Sequence, residues 1–196
     1  MGFAPNEIVL VFVGRLVWEK GIDAFVETVN LLATRGVPHR VLVVGEGPAN
    51  DAFRKRLPNA IFTGRLLGDE LPTAFASSDL FFFPSASETF GLVSLEAIAS
   101  GLPAVVADAT GSKDIVRHGV EGLVCPPENV PAFAAALERL IRDPALRRTM
   151  AESGIERARS FRWNLVLGKL VEAFHHVAIG EGEEQRNVPT RYQLSP

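Results

Sequence analysis

Two glutamates, Glu88 and Glu96, stand with seven residues between them in the block from Ser78 to Val106. The block reads as an apolar strand, a polar loop holding Glu88, a helix carrying Glu96, a glycine turn and a second apolar strand. A loop carboxylate just ahead of a helix N-terminus suits a neutral, hydroxyl-rich ligand with an anionic end. Hydroxyls donate to the carboxylate, and the anion takes the helix amides. Thr89 is predicted to cap that helix, which leaves Phe90, Gly91 and Leu92 to present free first-turn amides. Glu96 falls about 10 Å further along, at ~1.5 Å of rise per residue. That distance fits a ribose diol beyond a diphosphate, because one carboxylate accepts from two adjacent hydroxyls. Glu96 shares its face with Leu92, Leu95 and Ala99, so its carboxylate needs a partner or an opening to solvent. The plainer alternatives are a flank residue for Glu96 and a solvated N-terminal acid for Glu88.

A second set of polar residues follows the first apolar run. Gly14 to Gly21, GRLVWEKG, leaves a strand and opens a helix. Arg15 offers a rigid donor fork for phosphate oxygens and Lys20 a mobile point charge. A departing diphosphate needs such compensation. The competing reading pairs or solvates these cations around Glu19. No GxxxxGK or GxGxxG follows a strand. The turn Gly45-Glu46-Gly47-Pro48 is expected to lie under a nucleotide, with glycines that allow positive φ and close ligand approach. Glu46 reads equally as exposed decoration. Gly64-Arg65-Leu66 echoes Gly14-Arg15-Leu16, with the Arg65 backbone as pocket wall and its side chain on the rim. Ser85, Ser87, Thr110 and Ser112 add hydroxyls, and Asp108 and Asp114 read as turn and cap residues. No HExxH or CxxC pattern occurs, and no metal is expected. The four histidines form no recognisable set.

The elements that must position these residues are legible as alternating strands and helices. Apolar runs predict strands at 8–13, 40–44, 60–62, 80–83, 103–106 and 123–124. Helical periodicity or polarity predicts helices at 21–34, 49–56, 69–77, 90–100, 131–141, 143–159 and 161–177. Such alternation implies one α/β domain over residues 1–179, a doubly wound parallel sheet of Rossmann-like type. Ligands in that architecture gather at the carboxyl ends of the strands, where the candidate residues fall. Residues 180–196 are expected to be a loose polar tail.

Bulk properties narrow the class. The 196 residues carry 20 Lys+Arg against 23 Asp+Glu, a net charge of −3. That balance argues against nucleic acid as a partner. Cys125 is the sole cysteine, which excludes an internal disulfide and suits a reducing compartment. No run reaches membrane-spanning length, and no signal peptide is evident. The expected location is cytoplasmic, with peripheral contact at the inner membrane left open.

VFVGRLVWEKG (11–21), VLVVGEGP (41–48), the 78–105 stretch and GLVCPPEN (122–129) together resemble the C-terminal, donor-binding half of retaining GT-B glycosyltransferases of family 4. Glu88 and Glu96 match that family's EX7E spacing. The resemblance implies that Arg15 and Lys20 bind and stabilise the departing diphosphate. Glu88 then faces the donor sugar, Glu96 binds the ribose, and the amides around Phe90 and Gly91 hold donor oxygens. The Gly64–Leu66 and Val124 regions are implied to lie near the base. It implies no cofactor beyond the donor substrate, GDP-mannose as first choice and UDP-glucose or another UDP-sugar as the alternative. It also implies an N-terminal domain, in cis or in trans, that completes the cleft. The chain is therefore expected to be an isolated half that binds donor without efficient transfer, its helix at 163–177 resembling the family's terminal crossover helix. A homodimer through the exposed interdomain face and a non-catalytic nucleotide-binding module are left open.

Overall fold

The computed structural model describes residues 2–178; the expected polar tail lies outside the described residues. Six strands form one parallel sheet: β1 (Val9–Val13), β2 (Arg40–Val44), β3 (Ile61–Gly64), β4 (Leu80–Phe83), β5 (Ala104–Ala107) and β6 (Gly122–Cys125). Their order is β3-β2-β1-β4-β5-β6. The register runs Val9 against Arg40 through Val13 against Val44, and Leu10 against Leu80 on the other side of β1. The connection from β3 crosses back to β4, so the chain reverses its direction of travel at the β1/β4 boundary. In open parallel sheets that reversal opens a crevice at the strands' carboxyl ends.

Continuous apolar runs make these strands because both faces of the sheet are covered. β4 shows it residue by residue. Phe82 stacks on Phe25 with centroids 4.9 Å apart and meets Phe133 at 5.4 Å. Its neighbours point the other way: Phe81 and Phe83 stack at 5.7 Å, and Phe75 sits edge-on to Phe81 at 6.4 Å. Phe25 belongs to α1 (Ile22–Thr34), Phe75 to α3 (Glu70–Ala76) and Phe133 to α6 (Val130–Arg142). Each strand residue therefore fills a core on its own side. Each fully buried phenylalanine contributes about 1.5–3 kcal/mol of apolar transfer.

The remaining helices are α2 (Asn50–Arg56), α4 (Leu92–Ala99), α5 (Ser112–Ile115), α7 (Pro144–Arg159) and α8 (Trp163–Ala178). α1 packs with α6, and α4 packs with α7. Gly154 in α7 permits the latter approach, since a side chain there would meet the Ile98 carbonyl and Cβ at 3.1 Å. α6 begins as its sequence suggests: Asn129 accepts a hydrogen bond from the Ala132 amide at 3.0 Å, and a proline occupies the first turn.

The described chain divides into two compact units, one ending at Arg159 and one beginning at Ser160. The second contains α8, whose Leu165, Val166, Leu170 and Phe174 are exposed. No described helix is long and apolar enough to cross a membrane.

All six expected strands and seven expected helices are present, within about two residues at each end. The sequence reading missed α5, whose four residues are too few to show a period. It also started α4 too early. The helix opens at Leu92, and its N-cap is Gly91 at φ 81°, with no side-chain cap. Thr89 therefore does not cap it. A Cβ at Gly91 would lie 2.8 Å from the Gly111 carbonyl oxygen, and one at Gly111 2.7 Å from the Glu88 carbonyl oxygen. Two loops pressed backbone to backbone thus fix where the helix begins.

Candidate functional site

The floor of the site is a continuation of sheet pairing beyond the strand ends. The Gly14 amide donates to Val44 O at 3.0 Å, the Leu16 amide to Glu46 O at 2.9 Å and the Gly45 amide to Gly64 O at 2.9 Å. These bonds join the loops after β1, β2 and β3. The joint needs glycine at position 45, where φ is 140° and a Cβ would sit 1.8 Å from the Gly14 carbonyl oxygen. A Cβ on Gly47 would lie 2.4 Å from Leu16 O. These glycines make room for protein backbone, and Gly45 has the positive φ that the sequence predicts. Gly47 is absent from the positive-φ glycines.

Above this floor lies a cavity of about 520 Å³, lined by Gly14, Arg15, Gly45, Glu46, Arg65 and Leu66 among others. The structure brings these expected residues together, and Gly64 adjoins them through Glu46, whose Oε1 is 3.2 Å from where a Gly64 Cβ would stand. Val124 does not join them. It lies on β6, at the opposite edge of the sheet from β3. Its amide donates to His118 Nδ1 at 3.1 Å. The expectation that Gly64–Leu66 and Val124 flank one base is therefore corrected by strand order, a long-range property that local sequence does not carry.

The second cluster sits at the β1/β4 reversal. Lys20 ends a 3-10 turn, Trp18–Lys20, and Glu88 lies in the loop after β4. Lys20 Nζ donates to Glu88 Oε2 and to Ser87 O, each at 3.0 Å. Both charged side chains retain only 16% exposure, and the ammonium stands 5.9 Å from the Phe83 ring centroid. An ammonium has three protons, and two are engaged. A carboxylate offers about four acceptor sites, and Glu88 Oε1 has no partner among the described residues. The pair thus leaves an unused donor beside an unused acceptor. Close packing holds the turn in place, since a Cβ on Gly21 would meet Pro84 O at 2.6 Å.

Arg15 points into solvent, its side chain 73% exposed, and meets Glu19 at 3.5 Å. This is the pairing that the sequence offered as the competing reading. An exposed pair of that length is worth well under about 1 kcal/mol, so Arg15 can leave Glu19 for a phosphate at little cost. Thr89, Phe90 and Leu92 are exposed around the entry to α4. By position, the amides of Leu92, Val93 and Ser94 have no acceptor inside the helix.

Glu96 is on the second turn of α4, about 6 Å from the helix start at ~1.5 Å per residue, and the 10 Å helical path is corrected accordingly. The face it shares with Leu92, Leu95 and Ala99 is the solvent side of the helix. α4 buries Ser94, Ala97 and Ile98, while Leu92, Glu96 and Ala99 are exposed and Leu95 is half-buried. The Glu96 carboxylate therefore has a solvent opening and no hydrogen-bond partner among the described residues. Surrounding protein still desolvates it, which raises its pKa above the ordinary value.

Sequence reasoning missed Glu121. Its side chain is fully buried and accepts from the Arg117 amide and Nε, each at 2.8 Å, and from Arg117 Nη2. The only local signal was a glutamate followed at once by a strand. No group of three His, Cys, Asp or Glu residues shaped to hold a metal ion occurs among the described residues.

A doubly wound parallel sheet with a polar crevice at its reversal point defines a Rossmann-like α/β protein of the kind found in GT-B glycosyltransferases. Residues 7–143 match the family described as glycosyl transferases group 1, and the chain belongs to that family. Among its relatives, sulfoquinovosyl transferase SQD2 of Arabidopsis thaliana is 33% identical over 180 residues, covering 89% of this chain and 34% of that protein. The GDP-mannose-dependent alpha-mannosyltransferase of Corynebacterium glutamicum is 32% identical over 166 residues, covering 85% and 39% respectively. The solved sucrose-phosphate synthase of Thermosynechococcus elongatus superposes with a TM-score of 0.79 at 25% identity, over 90% of this chain and 47% of that one. The chain thus spans less than half the length of these proteins.

Proposed function

We propose that this chain binds the donor nucleotide sugar of a retaining hexosyltransferase, with its diphosphate at the β1/β4 crevice. The observation that carries this reading is the Lys20–Glu88 pair, which sets a spare ammonium proton beside a spare carboxylate oxygen at the sheet's reversal point. In this reading Lys20 and the exposed Arg15 meet the diphosphate, with the first-turn amides of α4 assisting. Glu88 Oε1 accepts from a sugar hydroxyl, and Glu96 accepts from the ribose diol. The base enters the cavity beside Gly14, Glu46, Gly64 and Arg65.

The chemistry follows from these charges. An acceptor hydroxyl's oxygen bonds to the anomeric carbon as the bond to the diphosphate breaks; the electron pair leaves with the phosphate oxygen, and the hydroxyl proton passes to that departing diphosphate. Arg15 and Lys20 neutralise the charge that develops there. Orienting the acceptor requires a second wall, which we assign to the part of the relatives that this chain does not match. GDP-mannose is the favoured donor, supported by the name of the Corynebacterium relative, and a UDP-sugar is the alternative. Calorimetric titration with GDP-mannose, GDP, UDP-glucose and UDP tests the reading. Selective binding of the guanine pair supports it, selective binding of the uracil pair moves it to the alternative, and no binding by folded protein overturns it.

A further inference from the structure

We infer that Ser87 is a positioning residue for Lys20, fixing the ammonium where a diphosphate can use it. The inference deepens the phosphate reading above and rests on it for its functional consequence.

Ser87 makes two contacts with the 3-10 turn that carries Lys20, and they run in opposite directions. Its hydroxyl donates to Glu19 O at 2.9 Å, and its own carbonyl accepts from Lys20 Nζ at 3.0 Å. The hydroxyl therefore ties the β4–α4 loop to the backbone one residue ahead of the lysine. The carbonyl then grips the far end of that lysine's side chain. A four-carbon stem with a freely rotating head is held at both ends of its reach.

Few other bonds could substitute. Ser85 also points at Glu19 O, but at 3.5 Å, the outer limit for a hydrogen bond. The Ser87 amide reaches Ser85 Oγ at only 3.4 Å. The loop is held at its ends, by Pro84 against Gly21 and by Glu88 to Phe90 against Gly111, but Ala86 and Ser87 between them are exposed, so no side-chain packing fixes the Ser87 carbonyl itself. Losing the hydroxyl frees the Ser87 carbonyl to drift, and Glu88 alone then directs the ammonium. Glu88 draws Lys20 toward its own carboxylate, whereas the carbonyl adds a neutral acceptor from a second direction. Together they leave the third proton one outlet. Such pre-organisation is what lets a bound cation act without a cost in ordering when ligand arrives.

Ser87→Ala and Ser87→Thr, with Lys20→Met as a control, test this on the full chain. Titrations use GDP and UDP against GMP and UMP. One neutral hydrogen bond predicts a loss of about five-fold in diphosphate affinity for Ser87→Ala. Monophosphate affinity stays within about twofold on the same basis, and Ser87→Thr restores the hydroxyl and the affinity. Equal weakening of both ligand classes, or a Ser87→Ala protein that binds diphosphate as well as wild type while Lys20→Met does not, overturns the inference. If Lys20→Met binds diphosphate normally, the phosphate reading fails instead. Positioning is then judged without nucleotide, from the nitrogen-15 NMR signal of the Lys20 ammonium. A slowly exchanging signal in wild type that is lost in Ser87→Ala supports positioning, and an unchanged signal refutes it.

Discussion

Replacing Lys20 with methionine removes the ammonium and keeps most of the stem's volume. Its partner stays behind: Glu88, 16% exposed, loses its one ionic contact at 3.0 Å. At an effective dielectric constant of ~20, two unit charges at that separation attract by about 5–6 kcal/mol. Desolvation of both groups offsets most of this, so the pair itself is worth far less. Breaking it costs more than the net worth of the pair, because the remaining carboxylate is left largely enclosed. The expected loss is about 2–3 kcal/mol, below the ~3–5 kcal/mol of a fully buried pair because some solvent reaches the site. For a unit of this size that lowers the melting temperature by about 5–10 °C. Lys20→Met/Glu88→Gln should recover about 1–2 kcal/mol, since the stranded charge is gone. The assay is thermal unfolding of the two single variants, the double variant and wild type. Melting of Lys20→Met within about 1 °C of wild type, or strict additivity in the cycle, refutes the claim that this pair is formed and enclosed.

Three other outcomes follow from the site and its floor. Glu96→Gln should weaken GDP or UDP binding by about ten-fold or more, as expected for losing a charged acceptor, while the protein melts no lower than wild type at pH 7. Desolvation raises the native carboxyl's pKa, so the native state holds the proton more tightly and its stability falls as pH rises from the unfolded value through the native one. Glutamine removes that penalty, and a lower melting temperature with unchanged affinity contradicts both parts. Gly45→Ala, with its Cβ 1.8 Å from Gly14 O, should cost about 4 kcal/mol or more in urea unfolding; a near-neutral result rejects the backbone joint. Cys125 is buried and its thiol is pushed up to about 11 by desolvation. Only ~0.1% is thiolate at pH 8, so labelling by a thiol reagent should track unfolding, and complete labelling of folded protein within minutes contradicts this.

The fold was legible where burial is uniform. Runs such as VLVFV and LFFF announce strands covered on both faces, and the amphipathic spacing of Phe25, Val29 and Leu32 announces α1. The candidate site was legible as loops, because every one of those strands ends in a glycine or polar turn. What the sequence withheld depends on contacts between distant segments. Gly91 replaces Thr89 as the cap because Gly111 presses against the same loop. Val124 leaves the base region because β6 is threaded to the far edge. Glu96 faces solvent because α7 takes the opposite side of α4. Ser87 looked like one hydroxyl among several until the fold placed it against Glu19 and Lys20.

The most direct test of the account follows backbone amide NMR signals of the full chain as GDP or UDP is added. A diphosphate at the β1/β4 crevice should concentrate the shifts at Gly14–Gly21, at Gly45–Glu46 and at Leu92–Ser94. A second cavity, of about 350 Å³ and lined by Asn30, His39, Arg56 and Asn59, lies away from the strands' carboxyl ends and should stay silent. Shifts confined to that second cavity, or none at the β1/β4 crevice with nucleotide bound, would contradict the assignment of the diphosphate site.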